Sequence, residues 1–525
     1  MTISGDIVKV NKKLEINTDW IVKELGVGES FDVVQRDIIL AGRKAALFYI
    51  NGMVKDGIMV EILISMSQLK REDLFPDAFL KVYKQYLSHI QVENLDDLHE
   101  VVDKILMGQI AMLVDGIEQV FAIDVRQYPA RGPEESDLER VVRGSRDNFV
   151  ETLLFNTGLL RRRLRDPKLR TELFQVGSRS KADVAVVYIK DIANPRLVEL
   201  VKERIKAIKM DGLPMAEKSL EEFINPGSLW NPFPRVRYTE RPDVVATHLL
   251  EGHVAVMVDT SPSVMILPVT MFHHLQHAEE FRQAPVIGTF MRLVRFIGVA
   301  ISVFLPALWL LLALYPALLP PGLAWIGPKE MGSIPLLGQF LLAELGINMM
   351  RLAAIHTPTS LATALGLIAA VLIGDIAVSV GLFNAEVILY VAIAAVGIFS
   401  TPSYELGMAN TLVRIALLIG VGLFGLTGFT TVLLAVFILL VTTKSFGLPY
   451  LWPLVPFNGS ALLDIFIRPP VPLQNLRARV LQPLDIDRQP FPEPARKPLS
   501  KQRLHRLEKQ QITRSKLKDD GRDEK

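Results

Sequence analysis

The charged residues of this 525-residue chain are distributed very unevenly, and this unevenness limits the folds open to it. Between Phe296 and Ile467 there are only ten Asp, Glu, Lys and Arg residues, whereas the chain as a whole is 22% charged. The longest uncharged runs, residues 296–328 and 415–443, contain 33 and 29 residues. A helix needs about 20 apolar residues to cross a bilayer. The sequence therefore predicts an α/β soluble N-terminal half followed by an α-helical polytopic membrane domain.

The soluble half is expected to contain two small α/β domains, residues 1–128 and 129–290, because strand-like apolar runs alternate with amphipathic helical stretches. A polar break with two prolines near residues 128–136 marks the boundary between them. Residues 291–467 would form the membrane domain, and residues 468–525 a basic tail that is expected to be disordered. The expected strands are Phe48–Ile50, Ile58–Val60, Ala111–Val114, Gln119–Val125, Val184–Ile189 and Gly252–Asp259.

The membrane domain is expected to have five or six spans. Five follow from residues 296–328, 352–382 and 387–403 and from two helices within residues 415–443, which would turn near Gly425. Residues 334–350 are a sixth candidate, but Gln339, Glu344 and Asn348 make this segment half polar. It could span the membrane, lie at the interface or re-enter.

The positive charges favour six spans. Arg292 and Arg295 flank the first span, and the tail carries 15 basic and 8 acidic residues. Because positively charged flanks stay in the cytoplasm, both ends of the membrane domain are expected there, which requires an even number of crossings. The N-terminal residues lack an apolar segment of signal-peptide length, so the soluble half is also expected to be cytoplasmic.

Two basic segments suggest contact with anionic surfaces. The helix expected over Asp147–Arg165 contains Arg161, Arg162 and Arg163, which would form a solvated face or meet acidic lipid or a partner chain. The tail would be attracted to anionic membrane lipid. It lacks the aromatic residues with which single-stranded nucleic acid stacks, so nucleic acid is not an expected partner.

Catalytic and metal sites are not expected. The chain contains no cysteine, which excludes disulfides and thiolate chemistry. The histidines at 273, 274 and 277 form an HHLQH fragment rather than HExxH, and no third ligand is evident. No nucleophile and base are recognisable, so an enzyme and a cofactor are not expected either.

Five polar residues in the membrane half are candidates for a pore or gate. Asp375 lies deep in an apolar run, where a carboxylate costs at least about 2.5–3.5 kcal/mol and should therefore face a cavity, a bundle interior or a partner. Glu344, Asn348 and Arg351 share one helix face, which would line an oligomeric pore or form an interfacial amphipathic helix. Glu386 stands at the end of a span, as do Glu405 and Arg414. Charge at the level of the lipid headgroups explains these three, although a ring of acids at a pore mouth could concentrate cations.

Several motifs in order resemble the GerA family of bacterial spore germination proteins. Residues 134–170 are similar to the segment that opens the second soluble domain of the family's receptor A subunits. The next landmarks are Glu240, Arg241, Pro242 and Asp243, then Glu251 and Gly252, and finally the membrane-half motif over residues 445–451 with Pro449 and Tyr450. The closing segment through Asn458 looks closest to the stage V sporulation protein AF branch of the family. Two departures are Asp375, where an uncharged amide is expected, and His253, where arginine is common.

The resemblance implies a multi-pass protein of the spore inner membrane that acts in germination. Such proteins are similar to subunits of oligomeric, pentameric ion channels that release ions from the spore core. The alternative is a nutrient germinant receptor A subunit, which would act as a signalling scaffold with B and C subunits. Either reading implies membrane lipid, other germination membrane proteins and, for the channel, further copies of the chain as partners.

Overall fold

The computed structural model describes residues 7–68, 91–129, 139–227, 230–319, 322, 327–329, 332–356, 366 and 376–489. In these ranges the chain forms two five-stranded sheets, each covered by helices on both faces, followed by long apolar helices after residue 285. The expected fold class, an α/β N-terminal half and a helical C-terminal half, is confirmed.

The first sheet has the strand order β1-β2-β4-β5-β3, and all neighbouring strands are antiparallel. Helices α1 and α3 cover one face, where Ile21, Phe48 and Val101 are fully buried, and α2 covers the other. Strand β4 is buried at every position because apolar residues on both of its faces meet helices. The elements are α1 (Leu14–Leu25), β1 (Val33–Leu40), β2 (Arg43–Ile50), α2 (Asp56–Ser67), β3 (Val92–Leu95), α3 (Leu98–Leu106), β4 (Ile110–Val114) and β5 (Val120–Ile123).

The strand expected at Ile58–Val60 is wrong, because these residues lie in α2. A short apolar run has no periodicity of its own to distinguish a strand from a helix. The buried residues of α2, Met59 and Met66, are seven residues apart, which is two helical turns.

The second sheet repeats the arrangement of the first. Its strand order is β6-β7-β9-β10-β8, so each strand occupies the place of the strand five positions earlier, and again all pairs are antiparallel. Helices α4 and α7 lie on one face and α5 and α6 on the other. The elements are α4 (Leu153–Arg163), β6 (Leu169–Val176), β7 (Ala182–Ile189), α5 (Pro195–Lys206), α6 (Ala216–Ile224), β8 (Arg237–Thr239), α7 (Pro242–Glu251), β9 (Val254–Val258) and β10 (Val264–Leu267).

The two sheets meet through a buried ion pair. Arg161 of α4 donates to both carboxylate oxygens of Asp32, at 2.8 and 3.1 Å, and the side chains are 1% and 0% exposed. Arg162 stacks over the Tyr128 ring, and Arg163 pairs with Asp147. The interpretation of this arginine run as a solvated face is therefore wrong for Arg161.

The apolar helices follow a short 3₁₀ helix (Met271–Leu275). Within the described ranges, three helices are long and apolar enough to cross a membrane: α9, the first 18 residues of α10, and α13. Helix α12 is shorter and also apolar. The elements are α8 (Ala278–Arg282), α9 (Pro285–Leu314), α10 (Leu336–His356), α11 (Ala377–Ser379), α12 (Ala385–Phe399), α13 (Tyr404–Thr442), β11 (Lys444–Ser445), β12 (Leu448–Pro449) and α14 (Gly459–Phe466).

Helix α13 is a hairpin of two helices rather than one straight helix. Gly425 has φ 58° and ψ −134°, which breaks the helix. A Cβ at Gly428 would collide with the carbonyl oxygen of Gly420, although residues eight apart in a straight helix are separated by about 12 Å. The first arm runs from Tyr404 to the bend and the second from the bend to Thr442. The expectation of two helices within residues 415–443 therefore describes this segment correctly, but the first arm starts at residue 404.

The contacts between helices show which ends lie together. At one end Tyr315 packs against Gly425, and Leu337 packs against Gly422. At the other end Arg351 contacts Met408. That second end, called the sheet-proximal end, is attached to the second sheet, since the side chain of Asn231 donates to the Thr443 hydroxyl at 2.8 Å.

The chain beyond the apolar helices does not match the expected disorder up to Gln489. Arg477 donates to the Leu250 carbonyl, the backbone amide of Leu484 donates to the Ile192 carbonyl, and Arg488 pairs with Glu251. This part of the tail therefore packs on the second sheet. Residues 490–525 lie outside the described ranges.

Candidate functional site

The buried charges of the apolar helices form the centre of the candidate site. Arg414 of α13 donates through Nε and Nη2 to the two carboxylate oxygens of Glu344 in α10, at 2.6 and 2.7 Å. Its Nη1 donates to the Ser302 carbonyl of α9 at 2.8 Å. Both charged side chains are 2% exposed. One planar guanidinium thus joins three helices, and its two-pronged geometry matches the carboxylate.

Sequence reasoning placed Arg414 at a span end, in the headgroup region, and this is wrong. The uncharged run begins at Ile415 because Arg414 itself interrupts it, so a search for uncharged residues starts the helix too late. The helix begins at Tyr404, ten residues earlier, and this moves Arg414 into its interior. Glu344, a predicted pore residue, therefore does not present a free carboxylate.

The other two residues of the predicted face continue from this pair towards the sheet-proximal end. The Asn348 side chain donates to the Glu344 carbonyl at 2.8 Å, and its Oδ1 is buried with no hydrogen-bond partner among the described residues. Arg351 donates to the Met408 sulfur at 2.8 Å. Both side chains are half-buried. Glu344, Asn348 and Arg351, called here the polar track, thus run from the buried interior of the bundle to one of its ends.

A second polar cluster lies at the opposite end of α10. Gln339, fully buried, donates to the Asn384 side chain at 2.9 Å and accepts from the Asn384 backbone amide at 2.7 Å. The carboxylate of Glu386 accepts from the Lys329 backbone amide at 3.2 Å, so this candidate stands close to a loop. Asp375, the remaining pore candidate, lies outside the described residues. The structure therefore places Glu386 far from the polar track, at the other end of the same helices.

The first family motif organises the start of α7. Pro242 occupies the first turn of the helix, where its missing N–H costs no hydrogen bond. Arg241 donates to both oxygens of Asp243, at 3.0 and 2.8 Å, and Arg282 donates to the same carboxylate at 2.7 Å. Burial raises the pKa of Asp243, but the hydrogen bonds from Arg241 and the nearby arginine charges outweigh it and hold the pKa below its usual value. The backbone carbonyl of Glu240 accepts from the Phe149 amide.

Glu251 and Gly252 close the same helix. Gly252 has φ 99°, the left-handed conformation that ends many helices and that glycine adopts without strain. Glu251 pairs with Arg488 at 2.5 Å, while burial raises its pKa. These motif residues end α7 and join it to Arg488 in the chain beyond the apolar helices. They lie apart from the polar track.

The last motif joins the end of α13 to the second sheet. The amide of Met271 donates to the Tyr450 carbonyl at 2.9 Å, and Ser445 donates to the Arg235 carbonyl at 2.6 Å. Pro449 lies in the two-residue strand β12, and Tyr450 is fully buried. These bonds connect the segment after the second arm of α13 to the loops after β10 and before β8.

A buried carboxylate that sequence reasoning missed completes this junction. Glu280 of α8 is fully buried and pairs with Arg292 at 2.5 Å and also with Arg295. Both arginines stand in the first turns of α9, where the sequence identified them as positive flanks. Arg292 also donates to the backbone carbonyls of Asp464 and Ile465 in α14. The sequence spacing does not identify Glu280, because its partners Arg292 and Arg295 lie on a different helix.

The chain is similar to known spore germination proteins. The family profile described as Bacillus/Clostridium GerA spore germination protein matches residues 20–480. Stage V sporulation protein AF of Bacillus subtilis (strain 168) is 47% identical over 92% of this chain and 98% of that protein. Spore germination protein B1 of the same strain is 30% identical over 92% of this chain and 100% of that protein.

Among solved structures, the chain is similar to the N-terminal domain of the A subunit of the Bacillus megaterium spore germinant receptor GerK3. The identity is 27% and the TM-score 0.40, and the match covers 50% of this chain and 97% of that one.

Proposed function

The chain belongs to the GerA family of spore germination proteins, and on that premise we propose that it is a channel subunit of the spore inner membrane that releases ions from the spore core during germination. The family resemblance carried by the sequence motifs is thereby confirmed. The proposed subunit assembles with further copies of itself into a closed ring, a pentamer, among other germination membrane proteins. Its action is conduction, or amplification of release begun elsewhere, and not catalysis.

The polar track is the observation that carries this proposal. Charged residues inside apolar helices are costly, and they are usually kept where ions or protons move or where a gate is held. Glu344 is neutralised by Arg414, while Asn348 and Arg351 remain half-buried on the same face of α10. The ion pair then acts as a latch that keeps α10 and α13 together, and its opening would expose a carboxylate to the pore.

The apolar helices also present surface that a single subunit leaves uncovered. In an apolar 18-residue stretch of each helix, only 28% of the residues of α10 and 11% of those of α13 are buried within the chain. Large side chains such as Leu345, Phe399 and Phe424 are exposed. Lipid and neighbouring subunits would cover these faces, and an assembly around α10 would bring the polar tracks of several copies together.

We propose that both sheets lie on the cytoplasmic side, which is the core side in a spore. Arg292 and Arg295 stand at the sheet-proximal end of α9, and positive charges at helix ends favour the cytoplasm. The sheet units would then form a ring below the membrane, attached to the gate through the Tyr450 and Glu280 junctions.

Reconstitution tests the proposal. The full-length chain is inserted into liposomes loaded with a potassium-sensitive dye, and its assembly is measured by single-particle imaging of nanodiscs. A ring with ion flux that changes in Asn348→Leu and Arg351→Gln, but not in Glu118→Gln, an exposed position in the first sheet unit, supports the channel. Absence of flux from a monomer or dimer under every activating condition would refute it and favour the receptor scaffold that needs B and C subunits.

A further inference from the structure

Three histidines from separate elements meet at one edge of the second sheet. His248 is in the last turn of α7, His253 immediately precedes β9, and His273 lies in the 3₁₀ helix after β10. Their ring centroids are 5.0, 5.9 and 5.2 Å apart. One ring nitrogen from each lies within 4.8 Å of the other two. Sequence spacing did not indicate this cluster, since it takes only one residue from the HHLQH fragment.

Hydrogen bonds orient two of the rings for ligation. The Nδ1 of His248 is 2.8 Å from the Val244 carbonyl, and the Nδ1 of His253 is 2.8 Å from the Pro268 carbonyl. A carbonyl can only accept, so Nδ1 carries the proton in both rings and Nε2 keeps its lone pair. Histidines that bind metals commonly have this arrangement, in which the second nitrogen donates to a carbonyl or carboxylate.

The third ring has two possible hydrogen-bond partners on one residue. The Nδ1 of His273 is 3.0 Å from the Thr270 amide and 2.8 Å from the Thr270 hydroxyl. Without a metal it accepts from the amide and carries its proton on Nε2. Ligation through Nε2 requires the proton to move to Nδ1, from which it can be donated to the hydroxyl oxygen. The Thr270 hydroxyl can hydrogen-bond to the ring in both states, whereas the Thr270 amide loses its acceptor when Nδ1 carries the proton.

The electrostatics of the cluster suit a neutral donor set. Burial lowers the pKa of all three imidazoles, to about 4 for His253, so protons do not compete for the lone pairs near neutral pH. Among the described residues, the charged side chain that acts on all three rings is Arg237, and Glu139 pairs with it at 3.1 Å. The guanidinium is therefore compensated and does not leave a free positive charge next to an incoming cation.

We propose that His248, His253 and His273 bind a zinc ion, with water in the fourth position. Zinc accepts three imidazoles and one open position readily. With Zn–N bonds of about 2.0–2.1 Å, tetrahedral nitrogens are about 3.4 Å apart, so each ring needs to move by less than about 1 Å. The ion would fasten α7, β9 and the 3₁₀ helix together, next to the contact between Met271 and Tyr450.

Metal content of the whole protein tests this site directly. The full-length chain is purified in detergent through a tag without histidine, stripped with a chelator, exposed to zinc and freed of excess metal. We expect about one zinc per chain by elemental analysis, a zinc-dependent rise in melting temperature, and tetrahedral absorption bands with cobalt. A wild-type chain that retains no zinc and whose melting temperature zinc does not change would overturn the proposal, even if every variant misfolds.

Variants assign the zinc to the cluster. His253→Gln and His273→Gln should each lose the stoichiometric zinc, whereas Thr270→Val should bind it roughly 10- to 100-fold more weakly, as is typical when a ligand loses its hydrogen-bond partner. His99→Gln is the control, because this ring packs against Trp20 in the first sheet unit. Equal zinc content in His253→Gln and wild type would assign the metal elsewhere and contradict the site.

Discussion

Glu344 and Arg414 are 70 positions apart in sequence and are joined by two hydrogen bonds, of 2.6 and 2.7 Å, in the interior of apolar helices. The pair is enclosed, with each side chain 2% exposed. A buried pair adds little net stability over apolar residues of the same shape, but the loss of one partner leaves an uncompensated charge. The intact pair is therefore tolerated in the interior, whereas loss of either partner is expected to destabilise the contact between α10 and α13.

Replacement of Glu344 by Gln should therefore destabilise the protein strongly. Breaking a buried pair from one side costs about 3–5 kcal/mol, so the melting temperature in detergent should fall markedly. The double variant Glu344→Gln with Arg414→Gln should recover part of that loss, because no charge remains unpaired. Glu386→Gln, at the opposite end of the helices, serves as the control. If the double variant were as unstable as the sum of both singles, the pair would have no latch-like coupling.

Asp32→Asn should loosen the contact between the two sheet units. The amide leaves Arg161 buried without a counterion, at a cost of about 3–5 kcal/mol. Hydrogen exchange of α4 and β1 should accelerate, while the centre of each sheet stays protected. Glu118→Gln is a matched control, since the Lys12–Glu118 pair is 70% and 62% exposed, and exposed pairs contribute about 1 kcal/mol or less. Equal effects of the two substitutions would argue against a stabilising role for the buried pair.

The sequence predicted element types well wherever local pattern decides them. The strands at Ala111–Val114 and Val184–Ile189 form because β-branched and apolar residues are buried on both sheet faces. The helix near residues 334–350 was likewise expected. Where the local pattern was ambiguous, as at Ile58–Val60, a strand was predicted but the residues form part of helix α2.

The site itself was only partly predictable. Glu344 was identified because it shares one helix face with Asn348 and Arg351, but its partner Arg414 was not recognised, since a pair across helices leaves no spacing in the sequence. For the same reason, the sequence did not predict the contact between Asp32 and Arg161 or the one between His248 and His273. The repetition of one strand order in both sheets was missed as well, because it depends on which strands pair and not on residue types.

Gly428→Val should prevent the hairpin of α13 from closing. Its Cβ would meet the Gly420 carbonyl oxygen, a backbone atom that cannot move aside without separating the two arms. We expect loss of folded protein in size-exclusion profiles after detergent extraction. Gly57→Ala, in α2, has open space around the new methyl group and should fold as well as wild type or slightly better. Normal yield and assembly of Gly428→Val would show that the arms are not in close contact.

Asp243→Asn should change the acid sensitivity of the second sheet unit. The folded pKa of Asp243 lies below its ordinary value, so its ionised form contributes stability above the unfolded pKa of about 3.9 and loses that contribution as the pH falls below it. The variant should therefore melt earlier at pH 7 and show a shallower decline between about pH 5 and 3. Asp211→Asn, with a side chain that is 79% exposed, is the control. Parallel melting curves for Asp243→Asn and wild type across that range would contradict the role of Arg241.

The number of crossings can be measured because the chain has no cysteine of its own. Single cysteines replace three exposed residues: Ser178 after β6, Thr427 beside the bend of α13, and Ser460 in α14. Six spans with both ends in the cytoplasm would place positions 178 and 460 on one side of the membrane and position 427 on the other. A membrane-impermeant thiol reagent applied to sealed right-side-out vesicles should therefore label Thr427→Cys alone, and inside-out vesicles should reverse the pattern. Labelling of Ser460→Cys with Thr427→Cys protected would mean an odd number of crossings, because the second arm of α13 separates these two positions. In that case residues 334–356 or the segment before Ile376 would not span, and the polar track would lie at the membrane interface instead of along a pore.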